Sequence, residues 1–315
     1  MPKASIIILT FNSQDVIADC LNSVLHSDTP MSRIIVVDNN SSDRTIEIVK
    51  GFLPQVRLII NNQNLGFSAG NNVAIKYAME DESDYIFLLN PDTTIKPDTL
   101  TILLETAQSD QQIGIVGPKT FYSFGRCHLP KVTPSQGEAL REQLGDRIMY
   151  AGGVLNWQNA KNHHRGMGEI DHGQYNQTEE TGFASGAALF IKKEVIQKIG
   201  LLDEKYFLYY EDADWCIRAK KAGFKIVFEP RAIVYHQEST VTKKGSPNYY
   251  YYFTRNRLYF ITKFFNPIRA LKLFFLESLR AIKNIVKLFN KSEREQSLAI
   301  VQGMGDFVRG RFGKR

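Results

Sequence analysis

The sequence predicts an α/β protein built on a mostly parallel sheet, followed by a helical extension. Three observations predict it. Short apolar runs alternate with helix-period segments through the first hundred residues, the layout of successive βαβ units. The runs are continuous rather than alternating, as in strands buried on both faces. From Tyr249 onward the pattern turns aromatic, basic and helical, interrupted once by Pro267.

The elements follow in order. Residues 5–9, Ser-Ile-Ile-Ile-Leu, form a strand too short to cross a membrane, and no leader cleavage pattern follows. Asn12 or Ser13 can cap a helix in which Val16, Ile17, Cys20, Leu21, Val24 and Leu25 repeat with helical period. Residues 33–37 give a second strand ending at Asp38. Ser41 and Ser42 can cap a helix that turns Ile46, Ile48, Val49 and Phe52 to a core. Strands over 56–60 and 85–89 flank a helix over 69–79. Residues 120–180 hold Gly125, Gly137, Gly145, Gly152, Gly153, Gly166, Gly168 and Gly173 with little periodicity, an irregular and partly stranded insertion of the kind that often forms binding loops. Regular structure returns with a strand over 187–191, a helix over 193–199 stopped by Gly200, and a helix over 212–222 stopped by Gly223. Strands over 225–228 and 233–235 complete the body.

Composition narrows the function. The 315 residues are 43% hydrophobic and 23% charged, ordinary globular usage. Cys20, Cys127 and Cys216 are odd in number and far apart, so neither a disulfide framework nor a zinc finger is supported. A reducing, cytoplasmic setting fits. The net charge of +6 is uneven: residues 255–315 carry 14 Lys and Arg against 4 Asp and Glu, leaving about −4 on the rest. A basic tail seeks phosphate. Its apolar residues (Leu271, Leu273, Phe274, Phe275, Leu276, Leu279, Ile282, Ile285, Val286, Phe289) are interleaved with Lys272, Arg280, Lys283 and Lys287. That pattern fits either helices packed on the body or an interfacial membrane helix. No nucleic-acid motif accompanies the charge, and no nucleic-acid partner is expected.

Ligands of open α/β sheets bind beyond the carboxyl ends of the strands. The four strand ends deliver Thr10-Phe11-Asn12, Asp38-Asn39-Asn40-Ser41-Ser42, Asn61-Asn62-Gln63-Asn64-Leu65-Gly66-Phe67 and Asn90-Pro91-Asp92. Caps and turns explain any one of these loops, but less well all four on one edge. The chain has neither G-x-x-x-x-G-K-[ST] nor G-x-G-x-x-G after the first strand, which excludes a P-loop NTPase and argues against a dinucleotide dehydrogenase. A diphosphate here would need a divalent metal, and Asp92 projects from a Pro-turned strand end where a carboxylate can hold one. Glu211-Asp212-Ala213-Asp214 opens a helix, where the dipole alone favours carboxylates. The run follows Tyr206-Phe207-Leu208-Tyr209-Tyr210, an aromatic wall suited to sugars or bases, and a partly buried carboxylate pair has the raised pKa of a general base. His236 ends a strand and as neutral imidazole is a further candidate ligand. His163, His164 and His172 in the insertion lack the spacing of a zinc site.

These residues, in this order, resemble inverting glycosyltransferases of family 2, rhamnosyltransferase-like branch. The resemblance rests on the strand-one and strand-two segments, on Asn64-Leu65-Gly66-Phe67-Ser68-Ala69-Gly70-Asn71-Asn72, and on Leu89-Asn90-Pro91-Asp92-Thr93. It extends through Gly186-Ala187-Ala188-Leu189-Phe190-Ile191, the run from Phe207 to Arg218, and the segments around His163-His164 and Asp171-His172. It implies the GT-A, Rossmann-like fold: residues 1–240 as catalytic domain, with 1–118 binding the nucleotide-sugar and 119–240 the acceptor, and 241–315 as extension. By the same resemblance Thr10, Asn12, Asp38 and Asn40 hold base and ribose, and Gly66, Phe67 and Asn90 approach the nucleotide or donor sugar. Asp92 and His236 hold Mg2+ or Mn2+; Asn90 replaces the first Asp of the family's Asp-X-Asp motif, leaving Asp92 as the main side-chain ligand. Asp212 is the general base, with Glu211 beside it. The implied donor is a dTDP or UDP sugar, with dTDP-L-rhamnose favoured. The implied acceptor is a hydroxyl of a polysaccharide or lipid-linked glycan at the cell envelope, met at the inner face of the cytoplasmic membrane. Two rivals are a sugar-1-phosphate nucleotidyltransferase, whose glycine-rich basic loop Thr10-Phe11-Asn12 is not, and a non-catalytic sugar- or nucleotide-binding protein.

Overall fold

The computed structural model describes residues 3–28, 33–81, 83–123, 146–237, 245–287 and 293–315. Cys127, Phe289 and the glycines at 125, 137 and 145 lie outside the described residues, as does the side chain of Val286. An eight-strand path carries the body, in the order β10 (Glu179–Glu180), β12 (Lys225–His236), β6 (Ile113–Tyr122), β11 (Ala188–Lys192), β4 (Tyr85–Leu89), β1 (Ala4–Thr10), β2 (Arg33–Asp38), β3 (Val56–Ile60). The expected parallel run is β4-β1-β2-β3, with Ser5 opposite both Ile86 and Arg33. β11 enters antiparallel to β4 and β6, so the whole sheet is mixed. β5 (Thr93–Ile95) pairs with β12, β7 (Ile148–Tyr150) with β6, and β8 (Gly153–Asn156) with β9 (Lys161–His164) in a separate hairpin.

The apolar runs work as their composition predicts, because successive side chains face opposite ways. Ile6 and Ile8 face the core under α1 (Ile17–Leu25) and α4 (Thr99–Ser109), while Ile7 faces the core under α3 (Gly66–Glu80) and α6 (Glu211–Lys221). Each such side chain, fully buried, contributes about 1.5–3 kcal/mol. The helix α2 (Thr45–Lys50) starts later than Ser41 and Ser42 imply; Asp43 Oδ1 accepts from Thr45 N at 3.0 Å in their place. Periodicity announces neither α4 nor β6. Gly114, Gly117 and Pro118 resemble loop residues, yet β6 is central and its glycines make room: a Cβ on Gly117 would meet the Tyr150 hydroxyl at 2.9 Å. The strands read at 225–228 and 233–235 are one strand, β12, with a register shift around Pro230, which has no N–H to pair.

α5 (Lys193–Ile199) and α6 follow β11. The extension consists of α7 (Pro247–Phe264), α8 (Pro267–Lys287) and α9 (Arg294–Val308). Pro247 takes the first turn of α7, where Ser246 Oγ accepts from Tyr249 N at 3.2 Å. Phe260, Ile261 and Leu273 join the same apolar cluster as Trp215 and Phe183, so the extension completes the core of the body. Part of the tail's charge is engaged there too. Arg255 is fully buried and donates to the carbonyls of Gly313 and Lys205, Arg257 pairs with Glu277, and Lys263 pairs with Asp203 and Asp214. α8 is two-sided. Leu273, Glu277 and Ala281 are buried, while Ile268, Leu271, Phe275 and Ile282 are exposed, Ile268 by 85%. No described helix is long and apolar enough to cross a membrane.

Candidate active site

The loops after β1 and β2 interlock. Thr10 Oγ1 donates to Asp38 Oδ2 at 2.9 Å, and Ser41 donates to both oxygens of Asp38 from its backbone N–H and its hydroxyl. Asp38 is fully buried under these bonds. Asn12 and Asn40 are exposed and sit in the left-handed region, φ 49° and 65°, which Asn tolerates better than most residues. The carbonyl of the Asn12 side chain accepts from Ser42 N at 2.9 Å. Asn39, given no role of its own in the sequence reading, is buried; it donates to the Gly66 carbonyl at 3.0 Å and accepts from Asn61 at 2.9 Å. It ties the second and third loops together.

Gly66 has to be glycine. Its φ is +79°, and a Cβ there would lie 2.6 Å from the carbonyl oxygen of Phe207. That closeness lets Phe67 N donate to the same oxygen at 2.6 Å, joining the start of α3 to the turn before α6. The turn is strained: Phe207, Tyr209 and Tyr210 all have positive φ. Side-chain bonding holds it. The Asn256 amide of α7, fully buried, donates to the carbonyls of Tyr206, Leu208 and Tyr209 at 2.9, 2.7 and 3.0 Å. The aromatic run is thus only partly a wall. Tyr206 and Tyr210 are core residues, Phe207 stacks on Tyr252, and of this run's aromatics Tyr209 and Tyr210 line the cavity.

The three acids that follow divide by environment. Asp214 is fully buried and structural, with Arg218 Nε and Lys263 Nζ each 2.6 Å from it. Asp212 is half-exposed to the cavity but crowded by protein; Oδ2 accepts from Gly186 N at 3.0 Å and Oδ1 from Ala213 N at 2.7 Å. Burial pushes its pKa up, against those two N–H groups that lower it. Glu211 is buried, and its Oε2 accepts no hydrogen bond among the described residues. Burial first, and then the Asp212 carboxylate, push Glu211 well above the usual carboxylate range. Cys20 and Cys216 are buried, which pushes both thiols up to about 12, so neither is a thiolate nucleophile.

Asp92 and His236 meet across β5 and β12. Asp92 Oδ1 lies 3.0 Å from His236 Nε2, and Gln237 N donates to the Asp92 carbonyl at 2.8 Å. Asp92 Oδ1 is buried and accepts no hydrogen bond of good geometry among the described residues. An anionic oxygen and an imidazole nitrogen at that separation need a proton or a cation between them, so the pair fits a divalent metal with one oxygen and one nitrogen donor. No group of three acidic, His or Cys side chains assembles among the described residues, so the rest of a coordination sphere would come from phosphate oxygens and water.

A cavity of about 380 Å³ gathers Phe67, Asn90, Glu211, Asp212 and His236, with Gly186 and the Tyr249 and Phe253 rings of α7 on its wall. Thr10, Asn12, Asp38, Asn40 and Gly66 do not line it; Thr10 and Asp38 end β1 and β2, Asn12 and Asn40 lie in the loops that follow, and Gly66 starts α3. His163 and His164 line it from β9, while His172 is exposed in the insertion. Gly186 N, Asn256, Tyr249 and Phe253 are contributions the sequence reading missed as site residues. Only Gly186 carried a signal, as a glycine just before a buried strand; a Cβ there would touch Phe67 at 3.2 Å.

Comparison with known proteins gives one family match and three likenesses that bear on this geometry. The model of glycosyl transferase family 2 matches residues 5–200. The chain is 26% identical over 223 residues to the low-salt glycan biosynthesis hexosyltransferase Agl10 of Haloferax volcanii, covering 70% of this chain and 63% of that one. It is 26% identical over 231 residues to the N-acetylglucosaminyl-diphospho-decaprenol L-rhamnosyltransferase of Mycobacterium tuberculosis, covering 69% and 70%. In fold it is similar to GalNAc-T7, solved with UDP, GalNAc and Mn2+, with a TM-score of 0.60 at 16% identity, over 81% of this chain and 47% of that one.

Proposed function

The chain belongs to glycosyltransferase family 2, and on that premise we propose that it moves a sugar from a nucleoside-diphosphate donor to an acceptor hydroxyl with inversion. One observation carries the reading. Asp212, its carboxylate fixed by the N–H groups of Gly186 and Ala213, faces a cavity that also holds Asn90, Phe67 and His236. An acceptor hydroxyl is a poor nucleophile at neutral pH. Asp212 takes its proton as the oxygen attacks the donor's anomeric carbon; the bond to the nucleoside diphosphate breaks, and a single displacement inverts the centre. Gly186 N and Ala213 N hold the base in one orientation, and its raised pKa makes it a stronger proton acceptor than an ordinary carboxylate.

Thr10, Asn12, Asp38 and Asn40 are assigned to base and ribose, and Gly66, Phe67 and Asn90 to the approach of the nucleotide or donor sugar, on the edge where α/β sheets bind nucleotides. Asp92 and His236 are assigned to a divalent ion, Mg2+ or Mn2+, which when bound would neutralise charge on the departing diphosphate. The buried Asp92 oxygen 3.0 Å from His236 Nε2 supports this, as does the presence of Mn2+ with UDP in the GalNAc-T7 structure. The reading takes 1–118 as the donor half, 119–240 as the acceptor half and 241–315 as an extension. The mycobacterial relative's name supports dTDP-L-rhamnose as donor and a lipid-linked glycan as acceptor. The exposed apolar side of α8, flanked by Arg269, Lys272 and Lys283, supports peripheral contact with an anionic membrane.

The test titrates UDP, dTDP and GDP into the protein with and without Mn2+, then screens donors by product mass with membrane lipid extract as acceptor. Binding of dTDP or UDP, tightened by Mn2+, is expected. Asp212→Asn should keep that binding and lose transfer by about 10²–10⁴-fold. No nucleotide binding, or full turnover in the variant, defeats the reading.

A further inference from the structure

Five aromatic residues stand in succession at the start of α7, Tyr249 to Phe253, and the core absorbs only part of the run. Tyr251 and Tyr252 are buried. Tyr249 and Phe253, one helical turn apart, share a face of the helix and are half-buried on the wall of the cavity that holds Asp212. Their rings stack, with centroids 5.3 Å apart and planes 24° from parallel. Tyr209 packs edge-on against Tyr249 at 5.4 Å, and Tyr210 packs against Phe253 at 5.1 Å. These contacts place the pair relative to the base. Tyr210 stands two residues before Asp212, so their Cα atoms are at most about 7.6 Å apart. A second link runs from Asp212 to the donor wall: a Cβ on Gly186 would lie 3.5 Å from the Asp212 Cβ and 3.2 Å from the Phe67 ring. Asp212 thus joins Phe67 through Gly186 and the α7 rings through Tyr210.

From this placement we propose that α7 forms the acceptor platform: the residue that receives the new linkage is a pyranose, and it lays an apolar C–H face on the rings of Tyr249 and Phe253. The inference rests on the glycosyltransferase reading, narrows its acceptor to a ring with an apolar face, and carries the acceptor site past residue 240 into the extension. A base touches the hydroxyl it deprotonates, so the rings that adjoin Asp212 away from the donor loops adjoin the acceptor. Aromatic faces are negative and the ring hydrogens of a sugar weakly positive, so the two attract in a cavity that excludes water. An acyclic polyol has hydroxyls on every side and gains little from stacked rings. Asn162 and His163 of β9 line the same cavity and supply amide and imidazole groups for the remaining hydroxyls of the ring.

Saturation-transfer NMR on the full-length protein with UDP and Mn2+ is the test. The probes are the methyl β-pyranosides of glucose, galactose and N-acetylglucosamine and methyl α-L-rhamnopyranoside, with ribitol as the acyclic comparison. At least one pyranoside should bind, with transfer concentrated on the hydrogens of one ring face, and ribitol should bind more weakly. Tyr249→Leu and Phe253→Leu keep apolar bulk but lose the aromatic face, and each should weaken the pyranoside about three- to tenfold. Tyr249→Phe keeps the face and should weaken it less. UDP titrated into the same samples should show unchanged affinity in all three variants. No pyranoside binding, equal transfer to both ring faces, ribitol binding as well as the sugars, or leucine variants that bind like the wild type overturns the proposal. Weaker UDP binding with unchanged pyranoside binding also overturns it, assigning the rings to the nucleobase. The ring-face and ribitol comparisons use the wild type alone, so a variant that fails to fold leaves them in force. Failure of the wild type to bind UDP strikes the glycosyltransferase assignment, while intact UDP binding with no pyranoside binding strikes this one alone.

Discussion

The side-chain amide of Asn256 donates to the carbonyl oxygen of Tyr209 at 3.0 Å, across 47 residues of sequence. The same nitrogen also faces the carbonyls of Tyr206 and Leu208, so two hydrogens are shared among three acceptors. The turn they stabilise contains three residues with positive φ and ends where Glu211 and Asp212 begin. Asn256→Asp keeps the shape but replaces the donor with a carboxylate aimed at three carbonyls. Transfer should fall about tenfold or more, while UDP affinity falls less, because Thr10, Asn12, Asp38 and Asn40 lie on other loops and only Gly66 and Phe67 of the nucleotide residues meet this turn. Steady-state kinetics beside UDP titration checks this; equal loss of both would point to general unfolding.

Titration of the acidic pair has a definite sign. A base must be ionised to act, and Asp212 is raised, so transfer should fall with decreasing pH earlier than for an ordinary carboxylate. Burial first, and then the Asp212 carboxylate, push Glu211 up, so an ionised Asp212 favours the protonated form of its neighbour. Glu211→Gln, which mimics that protonated form, should leave the acidic limb of the pH–rate profile in place. A limb displaced by a full pH unit would show that Glu211 is charged there instead.

The same residue links pH to stability. A carboxyl raised in the folded state stabilises below its unfolded pKa and loses that contribution as pH rises through the folded value. Glu211→Gln removes this dependence. The variant's melting temperature should therefore exceed the wild type's at neutral pH, and the gap should narrow as pH falls toward 4. Calorimetry across pH 4–8 measures it.

Gly66→Ala should destabilise the fold by about 1–3 kcal/mol through a strained φ and a clash with a backbone oxygen. Phe207→Ala should not rescue it, since the oxygen at 2.6 Å belongs to the main chain. Urea unfolding of the single and double variants distinguishes the two sources.

Membrane contact is best tested by substitution. Removing the extension would also remove Phe260, Ile261 and Leu273 from the core. Leu271→Asp with Phe275→Asp changes only exposed positions and takes about 3–6 kcal/mol of insertable apolar surface away. The double variant should stop sedimenting with phosphatidylglycerol vesicles while keeping its melting temperature. Unchanged sedimentation would leave the apolar side of α8 without a role at the bilayer.

Much of this protein was legible as a sequence because local rules suffice for it. Continuous runs such as Ile6-Ile7-Ile8 can only be strands covered on both faces, and the polar residues after them had to share one edge of the sheet. No local pattern marked β6, where packing overrides local preference: Tyr150, Ala184 and Val195 occupy the space its glycines leave. Sequence alone therefore determined the α/β layout, the polar strand ends, and Asp92, His236, Glu211 and Asp212 as residues worth attention. Only the tertiary structure decided which acid of Glu211-Asp212-Ala213-Asp214 faces a cavity and which is neutralised inside. That choice depends on Gly186, Lys263 and Asn256, at least 26, 49 and 47 residues from the acids or carbonyls they serve. It decided equally that the basic tail is partly interior, with Arg255, Arg257 and Lys263 engaged by carbonyls and carboxylates. Charge and periodicity are properties of the chain, whereas burial and partnership arise only when distant segments close on one another.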